Sequence, residues 1–258
     1  MSSRIHPTAL VDPRAELGER VEIGPYVIIG PAVTIGDGSR IAARATLERN
    51  VRLGRDVAVG IGTVVGGNPQ DLKYTGEETW VEVGDGTMIR EYATINRGTA
   101  ALGVTRVGDR CFVMSYVHIA HDCQIGNSVI IANGTQLAGH VTVHDGAILS
   151  GLVGVHQFVT IGSMAFIGGM SRVNQDIPPF LKAVGNPVEL YGLNSVGLRR
   201  ANYPRETVNA LKRAYRLVFN SELNLSQAQE RVRQECPPLP EVDLLLEFLL
   251  RSQRGVPA

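Results

Sequence analysis

Residues 107–131 read VGDRCFVMSYVHIAHDCQIGNSVII, and in them Val107, Val113, Ile119, Ile125 and Ile131 recur at intervals of six. Extended in both directions, the same phase runs from Ile5 to Val173. Of its 29 positions 26 are Ile, Leu or Val, the exceptions being Asp71, Glu77 and Ala101, so chance cannot account for it. Two residues before each aliphatic stands a small or β-branched one, as with Ala45, Val57, Cys111, Cys123, Thr135 and Ala165. Gly often follows, as at Gly24, Gly36, Gly54, Gly126 and Gly162.

A period of six is not the 3.6 of an amphipathic helix, nor the two-residue alternation of a half-buried strand. It fits a short strand with two inward residues followed by a sharp corner. Three such units close a triangular coil of 18 residues, and coils stack so that the aliphatics form internal columns. The glycines are expected to supply the corner conformations that other residues adopt at a cost.

Two stretches break the pattern without losing its phase: NPQDLKYTGEET (68–79) and TAALGV (99–104). They are either distorted coils or loops whose length is a multiple of the repeat. A loop leaving a rigid prism is a place for binding residues. The repeat fades after Val173, and Asp176-Ile177-Pro178-Pro179 and Gly185-Asn186-Pro187 read as turns. Helices follow: one opened by Pro204-Arg205-Glu206 with Val208, Leu211, Ala214, Tyr215 and Val218 on one face, one capped by Ser226, and one over Val242–Leu250. The expected division is a β-helix over residues 1–186 and a helical appendage over 187–258 that also covers the open end of the prism.

The 258 residues carry no formal net charge, which gives no field for nucleic acid or an anionic membrane. The first twenty residues lack an apolar core of the signal-peptide kind, and no run of 18 apolar residues exists to span a bilayer. Three cysteines, Cys111, Cys123 and Cys236, match no zinc or disulfide framework and suit a reducing, cytoplasmic setting.

Five of the six histidines, His118, His121, His140, His144 and His156, lie between residues 118 and 156. Counting by 18 stacks His121, Gly139 and Gln157 in one column, Asp122 and His140 in the next, and Ala120, Ala138 and His156 on the other side. None has the inward phase. An outward cluster of imidazoles beside a carboxylate and a glycine suits acyl transfer. His121 would take a proton from an attacking hydroxyl, Asp122 would orient it, and the Gly139 N–H would face a developing oxyanion. The plain alternative is a set of surface histidines without a task.

The periodicity resembles the hexapeptide-repeat superfamily, whose left-handed β-helices are mostly trimeric acyltransferases. Within it, Gln70-Asp71-Leu72-Lys73-Tyr74, Thr94-Ile95-Asn96-Arg97-Gly98-Thr99, His118-Ile119-Ala120-His121-Asp122-Cys123, Leu137-Ala138-Gly139-His140 and Val155-His156-Gln157-Phe158 resemble the UDP-N-acetylglucosamine O-acyltransferases, which begin lipid A synthesis. The resemblance runs nearly the whole length. It implies a left-handed β-helix and a cytoplasmic homotrimer with sites between neighbouring subunits. The implied donor is a 3-hydroxyacyl thioester on acyl carrier protein, the acceptor is the sugar 3-hydroxyl, and no cofactor or metal is needed. It also implies His121 as base, Asp122 as its orienting acid and the Gly139 backbone as oxyanion donor. Asp71, Lys73, His118, His140, His156, Gln157, Asn194 and Arg200 become substrate-binding residues. The acyl groove would end at Gly169 and Met170, with Gly169 favouring a longer chain.

The chain departs from the family pattern at Asn96, where His is common, and at Val196 and Ala201, which stand for a Glu and the second Arg of a pair. These touch the acceptor side and leave open the 3-amino analogue of the sugar, which would yield an amide. Arg199, Arg200, Lys212, Arg213 and Arg216 form a basic cluster suited to docking an acidic carrier protein, or simply a solvated helix face. Three further readings are another N-acyltransferase on a UDP-amino sugar, a zinc hydratase of the γ carbonic anhydrase type using His118, His121 and His140, and a purely structural β-helix.

Overall fold

The computed structural model describes residues 3–257. Short strands of mostly two residues, nearly all ending on an aliphatic of the six-residue phase (Val64–Gly67 and Thr94–Asn96 run past it), alternate with corners of mostly four residues. Successive strands enter three different sheets in rotation, so each coil gives one strand to each face of a three-sided prism. Face one holds Ile130–Ile131, face two His118–Ile119 and face three Gln124–Ile125. The architecture is a left-handed parallel β-helix followed by short helices.

The register confirms the 18-residue coil: Ile119 lies opposite Leu137, and Leu137 opposite Val155. The offset widens where the pattern breaks. Val51 faces Val81 across the first interruption, and Ile95 faces Ile119 across the second. The twelve and six additional residues are therefore loops pushed out of otherwise regular coils. Both leave the edge between faces two and three.

The aliphatic columns are buried, with Ile29 and Ile95 at 1% exposure and Ile119, Leu137 and Leu149 at zero. The first coil forms the end of the prism and leaves Ile5 exposed.

Corner chemistry differs from expectation. Left-handed φ values fall mainly on residues other than glycine, including Tyr92, Tyr116, Asp122, His140 and Phe158. Their conformations are held by corner-to-corner bonds, such as His140 N–H to the His121 carbonyl at 3.0 Å. The glycines that follow the aliphatics are instead places of close approach. A Cβ on Gly36 would lie 2.5 Å from the Gly54 carbonyl carbon of the next coil.

Beyond Val173, Ile177, Ala183 and Val188 join the prism core. The strand Leu181–Val184 pairs with Phe166–Ile167 and then antiparallel with Glu189–Leu193. Residues 176–193 thus close the end of the prism, a task expected of the helices. The helices α1 (Ser195–Arg200), α2 (Arg205–Phe219), α3 (Leu225–Glu235) and α4 (Pro240–Arg251) build a second core around Phe180, Leu198, Leu211 and Leu245. Asn224, not Ser226, caps α3, exchanging bonds with Gln227 in a capping box. Buried Asp176 ties the tail down by accepting from Thr160 N–H, Ser252 Oγ and the N–H groups of Gln253 and Arg254. No helix among the described residues is long and apolar enough to cross a membrane.

Candidate active site

The strand His118–Ile119 ends at the edge between faces two and three, and the corner there carries His121 and Asp122. Asp122 is 1% exposed and its carboxylate is fully engaged. Oδ1 accepts from Thr99 N–H at 3.0 Å, and Oδ2 accepts from Thr99 Oγ1 at 2.7 Å. His121 Nδ1 lies 2.9 Å from the same Oδ2. A carboxylate can only accept, so the imidazole carries its proton on Nδ1 and presents Nε2 as the basic nitrogen. The Asp122 N–H is fixed in turn by Thr105 Oγ1 at 2.8 Å. Thr99, which reading the sequence for chemistry passed over, is thus the residue that clamps Asp122. The broken repeat at 99–104 was its signal.

Gly139 lies one coil on, beneath the His121 ring. A Cβ there would meet Cε1 at 2.5 Å and Nε2 at 2.7 Å. No carbonyl or side chain among the described residues accepts from the Gly139 N–H. His140 stands edge-on to His121, with ring centroids 5.1 Å apart, and stacks on Phe158 at 4.5 Å. Its Nε2 is 3.8 Å from Asp122 Oδ2. His118 pairs through Nδ1 with Thr94 Oγ1 at 2.8 Å, and burial, aided by nearby His121, pulls its pKa down. His156 and Gln157 are exposed one coil further on, His156 Nδ1 lying 3.1 Å from the Gln157 carbonyl. A cavity of about 390 Å³ opens beside His140 and Phe158, between Thr142 and Thr160 of face three and Leu244 and Phe248 of α4.

Asp71 and Lys73 sit on the first loop, which leaves the same edge two coils before His121. Asp71 Oδ1 accepts from Lys73 N–H at 2.9 Å, and the tip between them, Leu72, is wholly exposed.

The other residues singled out do not join this cluster within one chain. Asn194 caps α1, accepting from Gly197 N–H and donating to the Met164 carbonyl, on the edge between faces three and one. Arg199 and Arg200 end that helix and are exposed. Gly169 and Met170 lie on the remaining edge, Met170 at 75% exposure. Lys212 and Arg216 are exposed on α2, whereas Arg213 is paired with Glu235 at 2.5 Å, a carboxylate it shares with Arg231.

The zinc reading named His118, His121 and His140. The ligand atoms that converge, within 4.8 Å of one another, belong instead to His121, Asp122 and His140. His118 is turned to Thr94.

Residues 14–49 and 105–139 match the bacterial transferase hexapeptide repeat, and residues 176–257 match domain 2 of UDP-N-acetylglucosamine O-acyltransferase. The second repeat stretch contains His118, His121, Asp122 and Gly139. The acyl-[acyl-carrier-protein]–UDP-N-acetylglucosamine O-acyltransferase of Thermodesulfovibrio yellowstonii is 49% identical over 195 residues, 75% of this chain and 76% of that one. The chain belongs to this O-acyltransferase family. It is an acyltransferase, and solved members of the family superpose on it almost throughout. The UDP-N-acetylglucosamine acyltransferase from Bacteroides fragilis gives a TM-score of 0.97 at 42% identity, covering 98% of this chain and 100% of that one. The Acinetobacter baumannii structure gives 0.95 at 41% identity, covering 98% and 99%.

Proposed function

We propose that the chain transfers a 3-hydroxyacyl group from acyl carrier protein to the 3-hydroxyl of the glucosamine ring of UDP-N-acetylglucosamine, the first step of lipid A synthesis. The observation that carries the mechanism is the buried Thr99–Asp122–His121 chain, which leaves His121 Nε2 basic and partly exposed beside Gly139. In this reading Nε2 takes the proton of the sugar hydroxyl as its oxygen attacks the thioester carbonyl carbon. The carbonyl oxygen becomes an oxyanion facing the unoccupied Gly139 N–H. Collapse breaks the C–S bond, and the protonated imidazole returns its proton to the departing thiolate. Asp122 stabilises the imidazolium without taking the proton. Donor, acceptor and imidazole complete the chemistry, and no cofactor is assigned.

We assign acceptor binding to Asp71, Lys73, His118, His140, His156 and Gln157 from one subunit, and to Asn194 and Arg200. The latter pair lies on a different prism edge from His121, and Gly169 and Met170 lie on the third. That dispersal supports a homotrimer in which each site is shared by neighbours. Arg199, Arg200, Lys212 and Arg216 are exposed cations that suit an acidic carrier, while Arg213 already has Glu235. Relatives named as O-acyltransferases favour the ester over the amide.

The test is an assay of purified protein with 3-hydroxyacyl carrier proteins of graded length against UDP-N-acetylglucosamine and its 3-amino analogue. An ester product, with turnover lost in His121→Ala by at least ~10²-fold, supports the proposal. Turnover only with the amino sugar, or full activity in His121→Ala, refutes it.

A further inference from the structure

Arg97 is 2% exposed, the largest of the side chains buried to that degree. No carboxylate among the described residues pairs with it, although a guanidinium is costly to bury without one. Every acceptor it does have belongs to the base or the body of the 68–79 loop. One Nη donates to the Gly66 carbonyl, the other to Asn68 Oδ1 and, at 3.1 Å, to the Tyr74 hydroxyl. Its backbone N–H donates to the Gly67 carbonyl at 2.9 Å. The adjacent Asn96 Nδ2 donates to the Asn68 carbonyl at 2.6 Å.

The Tyr74 hydroxyl donates in turn to the Glu77 carbonyl at 3.1 Å. Tyr74 N–H closes the turn on the Asp71 carbonyl at 3.0 Å, the turn in which Asp71 Oδ1 holds Lys73 N–H. Tyr74 therefore links the guanidinium, bonded to its hydroxyl, to the backbone that presents Asp71 and Lys73, bonded to its N–H. Two residues along the same strand-to-loop segment, Thr99 clamps Asp122. The four residues Asn96–Thr99 thus hold both loops of this edge, one by Arg97 and one by Thr99.

We propose that Arg97 is a positioning residue for the acceptor side of the site: from beneath the 68–79 loop its forked guanidinium fixes the turn that carries Asp71 and Lys73. It reaches no substrate itself, since it is enclosed. Its hydrogen bonds within the chain all go to neutral acceptors of the loop and its base. The fork is what the site needs. Lysine would supply the charge from a single point and could not bridge Gly66, Asn68 and Tyr74 together. The inference rests on the reading above, in which Asp71 and Lys73 hold the sugar nucleotide.

The experiment compares Arg97→Met, Arg97→Lys and Tyr74→Phe with the parent protein, using UDP-N-acetylglucosamine and a 3-hydroxyacyl carrier protein. In Arg97→Met the KM for the sugar nucleotide is expected to rise about tenfold or more, with smaller rises in Arg97→Lys and Tyr74→Phe. The KM for the acyl carrier and the pH profile of kcat should not move. A folded Arg97→Met protein with the parent KM for the sugar, or with both KM values raised alike, overturns the proposal. Should Arg97→Met fail to fold, Tyr74→Phe decides, and an unchanged sugar KM there overturns it. Hydrogen exchange separates this from the functional reading. Both variants should speed exchange across residues 68–79 alone even if the parent protein acylates some other acceptor, and unchanged exchange there overturns the placement itself.

Discussion

The Cα of Gly139 lies against the face of the His121 imidazole, so near that a Cβ would sit 2.5 Å from Cε1 and 2.7 Å from Nε2. Gly139 is not at a left-handed φ, so its backbone would accept alanine; the ring would not. In Gly139→Ala the imidazole must swing away and lengthen its bond to Asp122. Turnover should fall at least ~100-fold, since small displacements of a reacting group cost that much. The melting temperature should change little, because the ring is partly exposed. Adding His121→Ala to Gly139→Ala should lose almost nothing further, as expected of residues acting as a unit. A double mutant showing the product of the two single losses would contradict this.

Thr99 gives the Asp122 carboxylate two of its three hydrogen bonds, one from the backbone and one from the hydroxyl. Thr99→Val is nearly isosteric and removes only the hydroxyl. A hydrogen bond to a charged group is worth about 1.5–3 kcal/mol, which corresponds to a loss of roughly ten- to a hundredfold in kcat. KM for either substrate should stay close to the parent value, and Thr99→Ser should restore most of the rate. Steady-state kinetics of the two variants decide it. An unchanged kcat in Thr99→Val would show that the Asp122 carboxylate needs no second clamp.

His118 is pulled to a lower pKa by burial, with a smaller contribution from His121. The folded chain therefore holds this imidazole neutral at a pH where the unfolded chain, near the ordinary 6.5, already binds a proton. Unfolding takes up a proton in that window, so stability rises with pH there. The contribution is complete above about pH 6.5 and declines as pH falls below it. Thermal melts from pH 5 to 7.5 should show a slope that His118→Gln flattens. An identical slope in the variant would place the acid sensitivity elsewhere.

The prism was legible because its signal is redundant. Nearly every coil repeats the same inward aliphatic, and a count of 18 alone sets Gly139 beside His121. What the count could not carry was what leaves the coil. Asp71, Glu77 and Ala101 marked the breaks, but only the widened registers at Val81 and Ile119 show that the breaks are extruded loops. For the same reason the motif holding Arg97 and Thr99 shows no task for either, since their partners are up to 31 and 23 residues away across a loop. Gly36 and Gly139 show a second limit. Gly36 reads as a conformational glycine and Gly139 as a backbone donor, and neither reading reveals that a neighbour occupies the space of each Cβ. Arg213 looked like a free cation until α3 brought Glu235 to it.

His121 and Arg200 lie on different edges of one prism, His121 in the corner after face two and Arg200 at the end of α1, whose cap is bonded to Met164. If both serve one acceptor molecule, they must come from two copies. His121→Ala and Arg200→Ala should then each be nearly inactive alone, the first losing kcat and the second raising KM for the sugar nucleotide. Mixed assemblies from co-expression behave differently. With random assembly at equal amounts, an interface pairs an intact His121 from one subunit with an intact Arg200 from its neighbour in roughly a quarter of cases. Co-expressed protein should regain about that fraction of the parent activity, while separately purified proteins mixed without subunit exchange should regain none. Activity no higher than the mean of the two single variants after co-expression would mean that one chain carries the whole site, and the shared-site reading would fall.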